Sequence, residues 1–213
     1  MPTERFYRLS QEKADKIKNA AIQEFKRVPP EEASINKIIR SADISRGSFY
    51  TYFEDKDDLL EWVMGDFIEH YRQFYVKGLK ENAGDLWNVL DGVLDNTIRW
   101  VAEQGLVEIV GNMMRGSHFA EYLVHGPEEG CRLEEENNAY MDMMYQSVDP
   151  KCLSLGVEDF RELMGMHVAS LIIALKAYFA DNANLDGLRA SYRRRMKLLR
   201  YGACPAMETA KQE

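Results

Sequence analysis

The chain reads as an all-α protein, with a three-helix head at the N-terminus and a larger helical domain behind it. Three observations predict this. Apolar residues recur at i, i+3, i+4 and i+7 along most of the chain, and strand-like alternation is scarce. The periodic stretches are also separated by short breaks at Pro29-Pro30, Asn82 to Asp85, His125-Gly126-Pro127, Asp149-Pro150 and Asp181 to Asn184. With 213 residues, 46% of them hydrophobic, the chain is long enough to bury a substantial core.

Helix one is expected from a Ser10 cap to about Val28, through Ile17, Ala20, Ala21 and Phe25, with Glu12 near the positive end of its dipole. Pro29-Pro30 stops it, because proline removes a donor and restricts its predecessor. Ser34 is then placed to cap helix two, in which Ile35, Ile38, Ile39 and Ala42 form one apolar stripe and Lys37 and Arg40 face out. Asp43 falls where the turn needs a left-handed residue, a conformation Asp tolerates. Ile44 fills the corner and Ser45 caps helix three, Arg46 to Tyr52. There Phe49 and Phe53 repeat at i and i+4 as a buried pair, and the remaining residues are expected as exposed donors.

Two short helices joined by a tight turn make a helix-turn-helix, whose second helix enters the major groove of DNA. Arg46 is the candidate for base edges, since a guanidinium bonds guanine O6 and N7 bidentately. Ser45, Ser48, Tyr50, Thr51 and Tyr52 are candidates for phosphate or groove contacts, and Gly47 lets the backbone approach the duplex. Lys56, at the start of helix four, is expected to hold a phosphate with help from the helix dipole, while Ser34 and Lys37 grip the flanking backbone.

The run from Ala42 to Leu60, Ala-Asp-Ile-Ser-Arg-Gly-Ser-Phe-Tyr-Thr-Tyr-Phe-Glu-Asp-Lys-Asp-Asp-Leu-Leu, resembles the signature of the TetR/AcrR family of bacterial transcriptional regulators. Ile17, Ala20, Ala21 and Phe25 also match that family's first helix. Three departures stand out: Asp43 for a usual Gly, Tyr52 for a usual His, and Val28-Pro29-Pro30-Glu31-Glu32 for a Gly-containing link. The resemblance covers about the first 60 residues. It implies a DNA-binding head over residues 1–56, an effector-binding and dimerisation domain over 57–213, and a homodimeric repressor released from a pseudo-palindromic operator by a small molecule.

Helix four is expected from an Asp55 cap through Leu59, Leu60, Val63, Phe67, Tyr71 and Phe74 to about Lys80, as a single link between the domains. A fifth helix follows from Leu86 to Val101, ended at Gln104-Gly105. Another runs from Leu106 to about Arg115 and onward past Gly116 toward Val124, and the next from Glu128 to about Val148. The last pair spans Val157 to about Ala180 and Leu185 to about Tyr201. Its apolar stripe, Phe160, Met164, Val168, Leu171 and Leu175 with Leu188, Tyr192 and Met196, is the expected dimer interface, forming a four-helix contact between two copies. The family resemblance implies the same pair of helices.

Effector contacts are expected among Trp87, Trp100, Met113, Met114, His118, Phe119, Tyr122, Tyr140, Met144, Met164 and His167, since Met and aromatic side chains adapt to varied ligands. No metal is expected: neither His118 nor His167 has a second His or Cys at i+3 or i+4. No cofactor or catalytic residue is expected either, because no nucleophile elbow, phosphate loop or dinucleotide fingerprint occurs.

Net charge is −8, yet residues 1–56 carry eleven Lys/Arg against nine Asp/Glu, so the acidity lies in the rest of the chain. DNA binding should therefore lean on local contacts at the head and weaken with salt. Cys131, Cys152 and Cys204 give an odd count and no zinc spacing, which suits reduced thiols. The N-terminus lacks an apolar leader and the longest apolar run, Val168 to Leu175, is short for a bilayer, so a cytoplasmic protein is expected with no membrane partner. The alternative is a DNA-binding regulator whose C-terminal domain binds a protein partner instead of a small molecule.

Overall fold

A computed structural model describes residues 2–116 and 132–202 of the chain. Among these residues the secondary structure is helical throughout: α1 (Gln11–Arg27), α2 (Ile35–Ser41), α3 (Arg46–Tyr52), α4 (Lys56–Val63), α5 (Gly65–Glu81), α6 (Leu86–Glu103), α7 (Val107–Arg115), α8 (Arg132–Ser147), α9 (Val157–Phe179) and α10 (Leu185–Tyr201). Single 3-10 turns precede α1 (Phe6–Arg8) and α2 (Pro30–Glu32). The expected continuation toward Val124 and the loop at His125-Gly126-Pro127 lie outside the described residues.

Two compact units form, interleaved along the chain. One comprises Met1–Phe74 with Thr97–Tyr122, the other Tyr75–Asn96 with Leu123–Glu213. In the first, α1 packs against α2, α4 and α7. Ile17, Ala21, Phe25, Ile38, Phe49, Phe53 and Leu59 fill its centre with almost no exposed surface. In the second, α9 packs on α8 and α10 around Tyr75, Leu79, Leu86, Leu90, Phe160 and Tyr192.

The local punctuation follows ordinary chain chemistry. Val28 ends α1 in an extended conformation ahead of the two prolines. Asp43 takes φ +53, the left-handed state of the turn. Ser45 Oγ accepts the Ser48 amide, and the Asp55 carboxylate accepts those of Asp57 and Asp58. Gly84 (φ +83) is a position only glycine suits, because a Cβ there would lie 2.5 Å from the Asp149 nitrogen.

Three local expectations need correction. The Ser10 and Ser34 hydroxyls make no cap bond. At Ser34 it is the backbone N–H that is engaged, donating to Glu24 Oε1 at 3.0 Å, and at Ser10 the first amides lie at an exposed end where water serves them. Helix four is also not continuous: it breaks at Met64 between α4 and α5. Gly65 follows the break, and a glycine without packing contacts weakens the helical ladder where the chain bends.

Glu24, almost fully buried, ties α1 to the start of α2. Its carboxylate accepts from Arg27 at 2.7 and 2.9 Å and from the Ser34 amide. The Arg27 hydrogen bonds hold its pKa below the usual carboxylate value. A depressed native pKa means stability that is present at neutral pH and lost as pH falls below about 4.5. Glu24→Ala should therefore cost about 1–3 kcal/mol at pH 7, by leaving the Ser34 amide and Arg27 without their acceptor. Urea unfolding at pH 7 and pH 4 should show that cost shrinking at the lower pH.

Candidate nucleic-acid interface

The turn at Asp43 sets the N-termini of α2 and α3 side by side, and that juxtaposition builds the exposed face of the head. Arg46, the first residue of α3, donates through Nη1 to Asn36 Oδ1 at 2.9 Å and through Nη2 to the Tyr50 hydroxyl at 3.3 Å. Its guanidinium carbon sits 5.5 Å from the Tyr50 ring centroid, a cation–π arrangement. Tyr50 is itself exposed, braced edge-on against Phe49 at 5.2 Å. The face thus offers a charged fork and a phenol from consecutive turns of one helix, steadied by an amide from the other.

Around this cluster, Lys37, Ser45 and Gly47 are exposed, and Ser34 and Ser48 are half-buried. The Ser45 and Ser48 hydroxyls lie 2.9 Å apart. A Cβ at Gly47 would meet only Ser45 Oγ, at 3.8 Å, so close approach to a surface remains open there. Thr51 is half-buried and its hydroxyl donates back to the Gly47 carbonyl at 2.9 Å. Lys56 is half-buried and donates to the Glu31 carbonyl, so one of its three donors is spent inside the head.

Tyr52 departs from expectation. It is buried rather than displayed, with its ring 6.0 Å from Phe6 and Lys13 above it. The spacing explains this, because Phe49, Tyr52 and Phe53 stand at i, i+3 and i+4 and share the inward face of α3. Phe6 was invisible to periodicity. It lies ahead of α1, yet it is buried against Phe53 at 5.0 Å and Trp62 at 4.7 Å. Thr3 binds the segment down, its amide donating to Tyr52 O and its hydroxyl to Thr51 O. A lone aromatic before a helix cap was the signal available.

The expected effector residues within the described part of the chain divide between the two units. Trp100, Met113 and Met114 belong to the first unit, where both methionines are core and Trp100 stacks on His70 at 4.4 Å. Trp87, Tyr140, Met144, Met164 and His167 belong to the second. His118, Phe119 and Tyr122 lie outside the described residues. Trp87 borders a 340 Å³ cavity with Leu155, Leu163 and Leu199, and its indole N–H is taken by Cys152 O at 3.0 Å.

His167 sits at the centre of the second unit with no exposed surface. The Tyr192 hydroxyl donates to Leu90 O at 3.0 Å, so it accepts from His167 Nδ1–H at 3.3 Å. That leaves Nε2 to accept the Tyr75 hydroxyl at 2.6 Å. The resulting chain, Tyr75 to His167 to Tyr192 to Leu90, runs in one direction and joins α5, α9, α10 and α6. Burial pushes the ring's pKa down to about 3, so the imidazole is neutral.

The expected dimer residues also need correction. Phe160, Met164, Leu171, Leu175, Tyr192 and Met196 are buried within their own unit, and Val168 and Leu188 are half-buried. The six buried side chains have almost no surface left for a second copy, whereas Val168 and Leu188 keep part of theirs. The exposed apolar residues of these helices are instead Met166, Ile173, Leu198 and Tyr201.

Residues 17–63 match the family model described as bacterial regulatory proteins, tetR family. Over 85 residues the chain is 33% identical to the uncharacterized HTH-type transcriptional regulator YvdT of Bacillus subtilis; the match spans 40% of this chain and only 43% of that protein. Among solved structures, the transcriptional regulator FadR of Bacillus subtilis, in complex with stearoyl-CoA, is similar with a TM-score of 0.56 at 16% identity, covering 89% of this chain and 99% of that one. A TetR family transcriptional regulator from Chloroflexus aurantiacus is similar with a TM-score of 0.48 at 19% identity, over 95% of this chain and 98% of that one.

Proposed function

We propose that the chain, whose residues 17–63 match the tetR family of bacterial regulatory proteins, is a transcriptional repressor of that family that binds a pseudo-palindromic operator as a homodimer and leaves it when a small-molecule effector binds. Residues 1–56 supply the reading head and residues 57–213 the effector-binding and dimerising part. The observation that carries the reading is the exposed Arg46–Tyr50 pair at the start of α3, held beside the N-terminus of α2. This is where a helix-turn-helix meets base edges.

Dimerisation through α9 and α10 is supported by what these helices leave uncovered. Met166 and Ile173 stand seven residues apart on α9 with Ala169, Ser170 and Ala177 on the same side, and α10 leaves Leu198 and Tyr201 exposed. A self-complementary pair of such faces closes a dimer around a two-fold axis, as an inverted-repeat operator requires. α9, at 23 residues, is apolar and long enough to cross a membrane by composition. Its packed inner face, with Phe160, Leu163, Leu171 and Leu175 in the core, supports a soluble cytoplasmic protein with no membrane partner.

An effector acts by binding one head spacing more tightly than the other. A roughly 100-fold preference amounts to about 2.7 kcal/mol, ample to release an operator. The FadR neighbour holds stearoyl-CoA, which makes acyl-CoA thioesters sensible first compounds to screen. Catalysis is not part of the proposal: the buried His167 has both ring nitrogens committed within the core.

Selection from a random duplex pool tests the reading. The parent should enrich an inverted repeat, and Arg46→Ala should weaken binding to that duplex by about tenfold or more while remaining folded and dimeric. Equal binding by parent and variant would remove α3 as the reading helix.

A further inference from the structure

We infer that Asn36 is a specificity-determining positioning residue: it sets the base preference of the head by fixing the plane of the Arg46 guanidinium. The inference rests on the head being a sequence reader. A bidentate contact to guanine needs both donors of the fork in the plane of the base, and a long flexible side chain reaches that geometry in few of its rotamers. Here two anchors from two elements define the plane. Asn36 Oδ1, on α2, takes Nη1 at 2.9 Å, and the Tyr50 hydroxyl, one turn along α3, takes Nη2 at 3.3 Å while its ring supports the cation.

The chemistry of the anchor matters. An amide oxygen is a neutral acceptor, so it orients the guanidinium without cancelling the charge that DNA attracts. The remaining N–H donors of Arg46 stay uncommitted among the described residues. Ordering the side chain before encounter also lowers the entropy lost when the base is bound. Neither Asn36 nor its neighbours on α2 show this role by spacing, since the contact joins residues ten apart across the turn.

Binding-site selection on the full-length parent, Asn36→Ala, Asn36→Asp, Arg46→Ala and the double variant Asn36→Ala with Arg46→Ala, read as base preference at each position, tests it. Thermal melting confirms that each variant is folded. Arg46→Ala should lose the preference at one base pair of each half-site. Asn36→Ala should reduce the preference at that same pair by about threefold or more, and the double variant should be no worse there than Arg46→Ala alone. Asn36→Asp keeps the acceptor and should keep the preference, while its charge weakens binding to all sequences alike.

Retention of the parent's preference by Asn36→Ala would overturn the inference. So would an effect at a different pair, or loss of the preference in Asn36→Asp. If the parent enriches no motif, the operator reading itself falls, and this inference with it.

Discussion

Replacing His167 with alanine should destabilise the protein by about 3–5 kcal/mol at pH 7. The ring is fully buried, and its removal leaves a void between α5, α9 and α10. It also withdraws the acceptor of the Tyr75 hydroxyl and the donor to the Tyr192 oxygen. The cost should depend on pH in a definite direction. The native ring protonates only near pH 3, whereas the unfolded ring does so near 6.5. Between those values the unfolded state binds the extra proton, so the parent loses stability as pH falls from about 6.5 toward 3, by up to about 1.4 kcal/mol per pH unit. The alanine variant lacks that contribution. Urea unfolding at pH 7 and pH 5 should therefore show the gap between parent and variant closing at the lower pH. A gap that stays constant would mean the ring titrates alike in the folded and unfolded protein.

The head was legible in the sequence because short-range rules decide it. Asp43, Ser45, Asp55 and the Phe49–Phe53 pair each act within four residues, and each takes the conformation its chemistry dictates. Tyr52 shows how a functional reading can override the same rule, for its i+3 spacing from Phe49 already placed it inside. Polar contacts across the fold left no local signal. Asn36 meets Arg46 across a turn, Glu24 reaches Ser34 past two prolines, and Tyr75 finds His167 from a residue 92 positions away. Helix α9 was ambiguous for another reason. Its apolar residues occur nearly all round, so periodicity names a buried helix without saying which side faces its own unit and which a second copy.

That ambiguity leads to the second large effect. Ile173 is 57% exposed in the C-terminal half of α9, in line with Met166 at 50%. A charge at this position costs the isolated chain little, because water still reaches it. In the proposed dimer the same substitution occurs twice about the two-fold axis, setting like charges into an apolar contact without partners. Ile173→Asp should therefore give folded monomers by sedimentation, with an unfolding midpoint close to the parent's. Operator binding should fall much further than any single head contact explains, by about 100-fold or more, since the second head loses the high effective concentration that linkage to the first provides. Binding to random DNA should change far less, because each head keeps its own phosphate contacts. The originally expected interface offers the contrast. Leu171→Asp buries its charge inside one chain and should unfold it, whatever the state of assembly. A dimeric Ile173→Asp with parental operator affinity would place the contact between copies on some other surface of the chain.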